Sequence, residues 1–394
     1  MRKPWRVNWS ERPSWRSSAT AFAIAATVGV AACVSLSPRP GPGKVPVVGG
    51  QYKNGRDQIV RIALATAARE GPAVNPAEGV LVVRPENGFV QWNGKRYRGE
   101  LVITATDSGL LVVNRLPMDD YLRGVVPLEI GNRTSAEMAA VQAQAVAART
   151  YAYKHLNGAR PFDMYATVQD QVYGGVDAEK PLPDTAIEAT RDIVVLYNGQ
   201  PITTPYHSTC GGSTAGVSEV WYDQPDQPYL RPVSDKIPGT NSYYCDASPR
   251  FSWTQTYDAA GLRAVMEKYL ATYTNAPKAN LGRVTDVREQ GRTASGRVAA
   301  LMVRTESGSY TLRGNDIRFV LRDPKGAILN STLFSLSAAT SGGEVSSLTL
   351  NGRGYGHGIG MCQWGAIGRA RAGQNYRTIL RTYYPGTTIG RIAG

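Results

Sequence analysis

Apolar residues follow two different spacings along the chain, and these spacings predict the order of its elements. Short β-branched runs at residues 59–64 and 80–83 are typical of strands, as is the apolar run at residues 110–113. The Asn93-Gly94 pair between two strand-like segments predicts a tight hairpin. Beyond residue 117 the apolar positions recur at helical spacing, and strand-like runs return between residues 284 and 350.

Two helices are predicted where the spacing first changes. Residues 118–126 lie between two prolines, and we expect Pro117 to start this helix and Pro127 to stop it. A longer helix is predicted over 135–156, because Thr134 and Glu137 form a capping-box pattern at its start. Strands and helices show no regular alternation, which indicates an α+β fold, mainly antiparallel, with a central helical segment and a β-rich insertion.

Composition narrows the class of protein. Of the 394 residues, 42% are hydrophobic and 19% are charged, which excludes a disordered chain. The 44 basic residues outnumber the 31 acidic ones and give a net charge of +13. Such a charge suits an anionic partner, for example a cell-wall polymer or a lipid surface. No nucleic-acid partner is predicted, because no stripe of basic residues is interleaved with aromatic ones.

The first 33 residues have the pattern of an export signal. Residues 1–17 carry five basic side chains and one acidic one, and residues 18–32 are uncharged and mostly apolar. This apolar run is shorter than the roughly 20 residues of a membrane-spanning helix, although a short uncleaved anchor is an alternative. The small residues before Cys33 resemble a bacterial lipobox, which implies diacylglycerol on Cys33. Residues 33–54, rich in Pro and Gly, predict a flexible tether.

Four sequence blocks carry a resemblance to a known family. They are LPMDDYLRGVVPLEI (116–130), AAVQAQAVAARTYAY (139–153), YHSTCGGSTAGVSEVW (206–221) and GRGYGHGIGMCQWGA (352–366). In this order and spacing they resemble the stage II sporulation protein D family, which includes bacterial amidase enhancers. The shorter blocks PYLRPVSD (228–235) and YYPGT (383–387) extend the resemblance over roughly residues 55–388.

The resemblance implies chemistry on the bacterial cell wall. Studied members of the family are lytic transglycosylases, which cleave peptidoglycan strands that have lost their stem peptides. The acid of the family motif falls at Glu129. One carboxyl group suffices for this reaction, because the 6-hydroxyl of N-acetylmuramic acid, rather than water, attacks C1. The alternative is a non-catalytic module that binds glycan and activates a separate cell-wall amidase.

Polar residues in the same blocks and in ATVQDQVYGG (166–175) are candidates for binding the glycan. Side chains of this kind in loops hydrogen-bond sugar hydroxyl, N-acetyl or lactyl groups. The candidates are Asp170, Gln171, Tyr173, Ser208, His357 and Gln363. The glycines at 354–360 do not predict a dinucleotide site, because no βαβ unit surrounds them.

A second group of residues suits either a metal ion or a disulfide. His207 and Cys210 form an H-x2-C unit, and Cys245 lies downstream. Zinc takes imidazole and thiolate ligands tetrahedrally, and some members of the family carry zinc near this segment. No cofactor is certain, because Cys210 and Cys245 of an exported chain would also form a stable disulfide. Both interpretations place Cys210 near Cys245 and leave Cys362 as an odd thiol.

These observations predict the organisation of the whole chain. We expect a lipoprotein signal peptide (1–32), the tether (33–54) and the first part of a core domain that carries the acid motif (55–280). A β-rich subdomain (281–350) follows, and the glycine-rich motif and helices of residues 351–394 complete the core. The mature protein is expected to be a membrane-anchored lipoprotein that faces the cell wall or periplasm.

Overall fold

The computed structural model describes residues 46–48, 51–68 and 79–393. The predicted signal peptide, the lipidation site Cys33 and most of the tether lie outside the described residues. The helices are α1 (Met118–Ile130), α2 (Met138–His155), α3 (Pro181–Ala189), α4 (Val217–Val220), α5 (Ala259–Tyr273), α6 (Asp316–Val320), α7 (Gln363–Arg371) and α8 (Tyr376–Tyr383). The described residues contain no helix that is both long and apolar enough to span a bilayer.

Nineteen strands are found among the described residues. They are β1 (Val47–Val48), β2 (Ile59–Ala68), β3 (Val80–Val83), β4 (Val90–Trp92), β5 (Lys95–Tyr97), β6 (Glu100–Thr106), β7 (Gly109–Pro117), β8 (Met164–Tyr165), β9 (Ile193–Tyr197), β10 (Gln200–Pro201), β11 (Tyr206–His207), β12 (Ser252–Asp258), β13 (Val284–Glu289), β14 (Ala300–Thr305), β15 (Gly308–Arg313), β16 (Phe334–Ser341), β17 (Glu344–Arg353), β18 (Met361–Cys362) and β19 (Thr388–Ile392). Strand β1, which lies within the predicted tether, pairs with β19.

The sheets are small and mostly antiparallel. The largest has the order β3-β6-β7-β2-β8, and a four-stranded sheet has the order β1-β19-β9-β10. Two three-stranded sheets, β12-β17-β16 and β13-β14-β15, lie in the second half of the chain. The two short strands β11 and β18 pair in parallel, with Tyr206 opposite Met361 and His207 opposite Cys362. This architecture confirms the predicted α+β class.

Helix α1 is longer than the prolines predict. Pro127 lies inside α1, which ends only at Ile130, so the predicted stop at this proline is wrong. Proline lacks an N–H group and weakens a helix, but burial of Val126 and Ile130 against the core holds the last turn in place. Gly131 ends α1 with a φ of 73°, and its N–H donates to the carbonyl of Pro127 at 3.1 Å. Glu129 therefore lies in the last helical turn.

Helix α2 is the centre of the main hydrophobic core. It follows a 3-10 turn at Ser135–Glu137, where the predicted capping box joins the N–H of Thr134 to Oε2 of Glu137 at 3.0 Å. The buried face of α2 is rich in alanine, which lets neighbouring elements approach closely. Helices α1, α3, α7 and α8 and strand β9 pack against it. Segments distant in sequence thus meet around one helix.

A second hydrophobic core lies within residues 257–350. It is built from α5, α6 and the strands β12–β17, with Leu301, Val303 and Leu348 fully buried. The chain then returns to the main core through the glycine-rich segment 352–360, followed by β18 and α7. Because of this return, the last forty residues contribute to the same core as residues 118–155.

Candidate functional site

Glu129 lies among apolar side chains at the end of α1. Its helix neighbours Val125, Val126 and Ile130 are buried, whereas its own side chain is partly open to solvent. Burial raises the pKa of Glu129 to about 7. The C-terminal end of a helix also carries partial negative charge, which disfavours an ionised carboxylate. Near neutral pH, Glu129 therefore populates both its protonated and its ionised form.

Three hydrogen-bond donors face the carboxyl group of Glu129. The backbone N–H of Val172 donates to Oε1 at 3.0 Å. The hydroxyl of Tyr206 and the side-chain amide of Gln363 also face the carboxyl group, and all three donors lower the pKa of Glu129. Burial outweighs them, so the pKa stays raised. The site therefore accommodates the protonated carboxyl group of Glu129. It also stabilises the carboxylate that forms when the proton is lost.

Gln171 orients the hydroxyl of Tyr206 toward the acid. Its Oε1 accepts a hydrogen bond from the hydroxyl of Tyr121, and its Nε2 donates to the hydroxyl oxygen of Tyr206, each at 3.0 Å. Because this oxygen accepts from Gln171, the hydroxyl hydrogen of Tyr206 is left for Glu129. Gln171 itself is fully buried. This predicted glycan-binding residue therefore lies behind the acid site and supports it.

Gln363 and Ser208 join the glycine-rich blocks to the acid site. Gln363 is the first residue of α7, and its Nε2 also donates to Oε1 of Gln144 on α2 at 3.3 Å. The carbonyl of Ser208 accepts a hydrogen bond from the N–H of Trp364 at 3.0 Å. These bonds tie the start of α7 to α2 and to the chain after β11, and so fix the amide that faces Glu129.

Asp170 and Tyr173 lie near the acid but are engaged elsewhere. Oδ1 of Asp170 accepts from the hydroxyl of Tyr151 at 3.0 Å, and Oδ2 accepts from the N–H of Tyr165 at 2.8 Å. Tyr173 is buried, and its hydroxyl donates to Oδ1 of Asn114 at 2.8 Å. Asp170 therefore links the loop after β8 to α2 by hydrogen bonds, and Tyr173 packs in the core behind this loop.

The two histidines of the glycine-rich blocks, His207 and His357, lie against each other, with ring centroids 5.4 Å apart. Nδ1 of His357 accepts from the N–H of Ile359 at 3.1 Å, so Nε2 carries the proton and donates to the carbonyl of Tyr206 at 2.9 Å. Burial lowers the pKa of His357 to about 3 and also lowers that of His207. His357 is therefore neutral, and it holds the backbone that presents the Tyr206 hydroxyl.

A buried cluster of three cysteines and one aspartate forms a second candidate site. Ligand atoms of Cys210, Asp235, Cys245 and Cys362 all lie within 4.8 Å of one another, and this group could hold a metal ion. The structure brings Cys210 and Cys245 together, as the sequence predicts. His207 is not a member of this group. Its Nδ1 is instead bonded to the carbonyl of Ile359 at 3.2 Å.

Sequence reasoning missed four contributors to these two sites. Tyr206 and Cys362 fall inside the quoted family blocks, and Asp235 is the last residue of PYLRPVSD. Their positions in these blocks could therefore have marked them as candidate site residues. The N–H of Val172 has no such signal, because any residue except proline supplies a backbone donor. Only the fold shows that this amide meets Glu129.

The comparisons with known proteins identify the class. The family model described as Stage II sporulation protein matches residues 106–197, which include Glu129, and a domain of unknown function matches residues 237–360. An uncharacterized protein of Brachyspira hyodysenteriae is 33% identical over 312 residues, covering 78% of this chain and 76% of that protein. The Stage II sporulation protein D of Bacillus subtilis is 30% identical over 294 residues, covering 70% of this chain and 75% of that protein.

A third relative is longer than this chain. The Amidase enhancer of Bacillus subtilis is 32% identical over 338 residues, covering 78% of this chain. The matched part is only 46% of the amidase enhancer, so this chain spans about half of that relative. With these matches over most of its length, the chain belongs to the stage II sporulation protein D family.

Proposed function

We propose that this protein is a peptidoglycan lytic transglycosylase. It acts on glycan strands without stem peptides and leaves 1,6-anhydro-N-acetylmuramic acid ends. The observation that carries the proposal is the environment of Glu129, a partly exposed carboxyl group whose pKa burial raises to about 7. An acid with this pKa is suited to both give and take a proton near neutral pH. Family membership supports the cell wall as the substrate class.

The first step needs Glu129 in its protonated form. Its proton passes to the glycosidic oxygen while the bond between that oxygen and C1 of N-acetylmuramic acid breaks. Positive charge then develops at C1, and the leaving sugar departs with a hydroxyl group. Burial of Glu129 keeps the acid protonated for this step, because it disfavours the carboxylate.

The second step uses the carboxylate that remains. Three donors stabilise it: the N–H of Val172, the hydroxyl of Tyr206 and the amide of Gln363. The carboxylate takes the proton of the sugar's own 6-hydroxyl, whose oxygen bonds to C1 and closes the anhydro ring. Glu129 is thereby protonated again, and no water is consumed. A second carboxylate is not required, which agrees with Asp170 having both oxygens bonded elsewhere.

Product analysis tests the proposal. The protein is incubated with peptide-free glycan strands, and the fragments are analysed by mass spectrometry. We expect ends that are lighter than hydrolysis products by one water molecule. Ordinary reducing ends would instead show a hydrolase with a second carboxylate. Absence of fragments, together with stimulation of an added cell-wall amidase, would show the enhancer role that the name of the Bacillus subtilis relative describes.

We further propose that the protein is exported and is held at a membrane by a lipid on Cys33. The basic and apolar pattern of residues 1–32 supports this location. Removal of these residues takes away five basic and one acidic side chain, so the mature chain keeps a net charge near +9. A basic protein next to the anionic cell wall would be drawn toward its substrate.

A further inference from the structure

We propose that Cys210, Asp235, Cys245 and Cys362 bind one zinc ion as a structural centre. The four residues form the buried cluster described above, and three of them are fully buried cysteines. Soft thiolate ligands in a closed tetrahedral set are the donors that structural zinc prefers. This inference concerns a site separate from Glu129, and it stands independently of the proposed glycan chemistry.

The distances within the cluster agree with tetrahedral coordination. With Zn–S bonds of about 2.3 Å and a Zn–O bond of about 2.0 Å, two ligand atoms of a tetrahedral site lie about 3.5–3.8 Å apart. Sγ of Cys210 lies 3.5 Å from Sγ of Cys245 and 3.6 Å from Oδ2 of Asp235. Two of the six pairs of ligand atoms therefore have the spacing of a tetrahedral site, and all six lie within 4.8 Å.

Backbone N–H groups point at the sulfur atoms and favour their thiolate forms. The N–H of Cys210 and the N–H of Gly365 donate to Sγ of Cys362 at 3.2 and 3.3 Å, and the N–H of Gly212 donates to Sγ of Cys210 at 3.4 Å. Cys362 is also the N-cap residue of α7, where the positive end of the helix dipole favours a negative charge. These donors suit metal-bound thiolates, which are hydrogen-bonded by their surroundings.

Asp235 has one oxygen bound by its neighbours and one directed at the cluster. Oδ1 accepts from the hydroxyl of Tyr383 at 2.7 Å and from Nη2 of Arg369 at 3.1 Å. Oδ2 lies next to Sγ of Cys210. A metal-binding carboxylate is commonly fixed in this way by hydrogen bonds to its other oxygen. The arrangement leaves Oδ2 of Asp235 as the fourth ligand.

A divalent ion and two neighbouring buried arginines would offset the negative charge of the four ligands. Three thiolates and one carboxylate carry four negative charges, and a zinc ion supplies two positive ones. The guanidinium groups of Arg369 and Arg297, both more than nine-tenths buried, supply the other two. Arg297 donates to the carbonyl of Cys210 at 3.2 Å, and its Nε and Nη1 have no hydrogen-bond partner in the described part of the chain. Buried cations of this kind need nearby negative charge, which metal-bound thiolates provide.

The competing interpretation is a Cys210–Cys245 disulfide, and the cluster favours zinc over it. A disulfide would use two of the three thiols and leave the thiol of Cys362 and Oδ2 of Asp235 buried beside it without a shared partner. It would also remove the thiolate charge that faces Arg297. Zinc uses all four side chains and joins the loop after β11, the segment around Asp235 and the start of α7 in one centre.

Metal content of the full-length protein tests the proposal. The protein is purified without chelators, and zinc is quantified by elemental mass spectrometry after exhaustive buffer exchange. We expect about one zinc ion per chain. Replacement of the zinc by cobalt(II) should give the intense visible bands of a tetrahedral site and thiolate charge transfer in the near ultraviolet. This readout needs no variant, so a folding failure cannot obscure it.

Three variants then assign the ligands. Cys362→Ser should lose the bound zinc, whereas Cys33→Ser, which changes the fourth cysteine of the chain, should retain it. His207→Asn keeps a donor for the carbonyl of Ile359 and should also retain zinc. A metal-free wild type with a Cys210–Cys245 disulfide and a free Cys362 would overturn the proposal. Zinc lost from His207→Asn but kept by Cys362→Ser would overturn this ligand set.

Discussion

The backbone N–H of Val172 lies 3.0 Å from Oε1 of Glu129 and donates a hydrogen bond to it. The bond joins the loop after β8 to the last turn of α1. A backbone donor is always in place, so the carboxylate keeps this partner whichever side chain residue 172 carries, proline excepted. Burial nevertheless raises the pKa of Glu129 to about 7. Burial and hydrogen bonding therefore act on the pKa of Glu129 in opposite directions, with burial the larger influence, and the loss of one donor should be measurable.

Glu129→Gln should abolish the release of anhydro fragments. Glutamine keeps the shape of the side chain but has no proton to donate, and general acid–base catalysis contributes about 10²–10⁴-fold to rate. Fragment release is measured by mass spectrometry, and glycan binding by a pulldown, which should be largely unchanged. Asp120→Asn, in the first turn of the same helix, is the matched control and should keep activity. Full turnover in Glu129→Gln would show that another residue is the general acid, and Asp170 would be the next residue to test.

The same substitution should stabilise the folded protein at neutral pH. The pKa of Glu129 is about 7 in the folded protein and 4.5 as its ordinary value, so the unfolded chain loses its proton first as the pH rises. The wild type therefore loses stability between pH 4.5 and 7, by on the order of 2–3 kcal/mol after allowance for partial exposure. Urea unfolding of both proteins at pH 4 and pH 8 measures this. If the difference in unfolding free energy between the wild type and Glu129→Gln is the same at pH 4 and pH 8, the raised pKa of Glu129 is contradicted.

Tyr206→Phe should shift the pH profile of the reaction upward. The first step needs protonated Glu129, so activity declines as the pH rises above about 7. Loss of the Tyr206 hydroxyl removes a donor to the carboxylate, which raises the pKa of Glu129 by up to about one unit. Initial rates across pH 5–9 measure the shift. Tyr151→Phe removes a hydroxyl that is bonded to Asp170 instead, and its profile should match that of the wild type.

The sequence predicted much of the fold and singled out Glu129 as the candidate acid, but it did not predict the surroundings of this residue. The apolar spacing and the capping box at Thr134 located α2 correctly, because these signals are local. Pro127 misled the prediction of α1, since the burial that carries the helix past it comes from distant segments. Gln171 and His357 were predicted to bind glycan, and the structure shows both bonded to Tyr206. Such partners become visible only when distant parts of the chain are brought together.

Gly368→Ala should destabilise the protein. Gly368 lies in α7, and a Cβ at this position would collide with the carbonyl oxygen of Tyr244. That oxygen belongs to the backbone and has little freedom to move, so we expect a loss of about 1–3 kcal/mol. Urea unfolding measures it. Gly158→Ala is the control, because a Cβ there meets open space, and its effect should be within about 1 kcal/mol.

Mass spectrometry of the mature protein should show Cys33 as the first residue, with a diacylglycerol group attached. The expectation rests on the basic and apolar pattern that ends at this cysteine. Cys33→Ser should remove the lipid and release the protein from the membrane fraction. A mature protein that begins at another residue, without lipid, would contradict the anchor.

Gln363 is bonded to Gln144, 219 positions earlier in the chain, and it also faces Glu129. Contacts of such long sequence separation form late, because the ends of a long loop must first be brought together. A chain still in synthesis already contains Glu129 but lacks α7, and so does not yet have the amide of Gln363. We therefore expect the ability to cut a glycan strand to appear only after the last segments have docked.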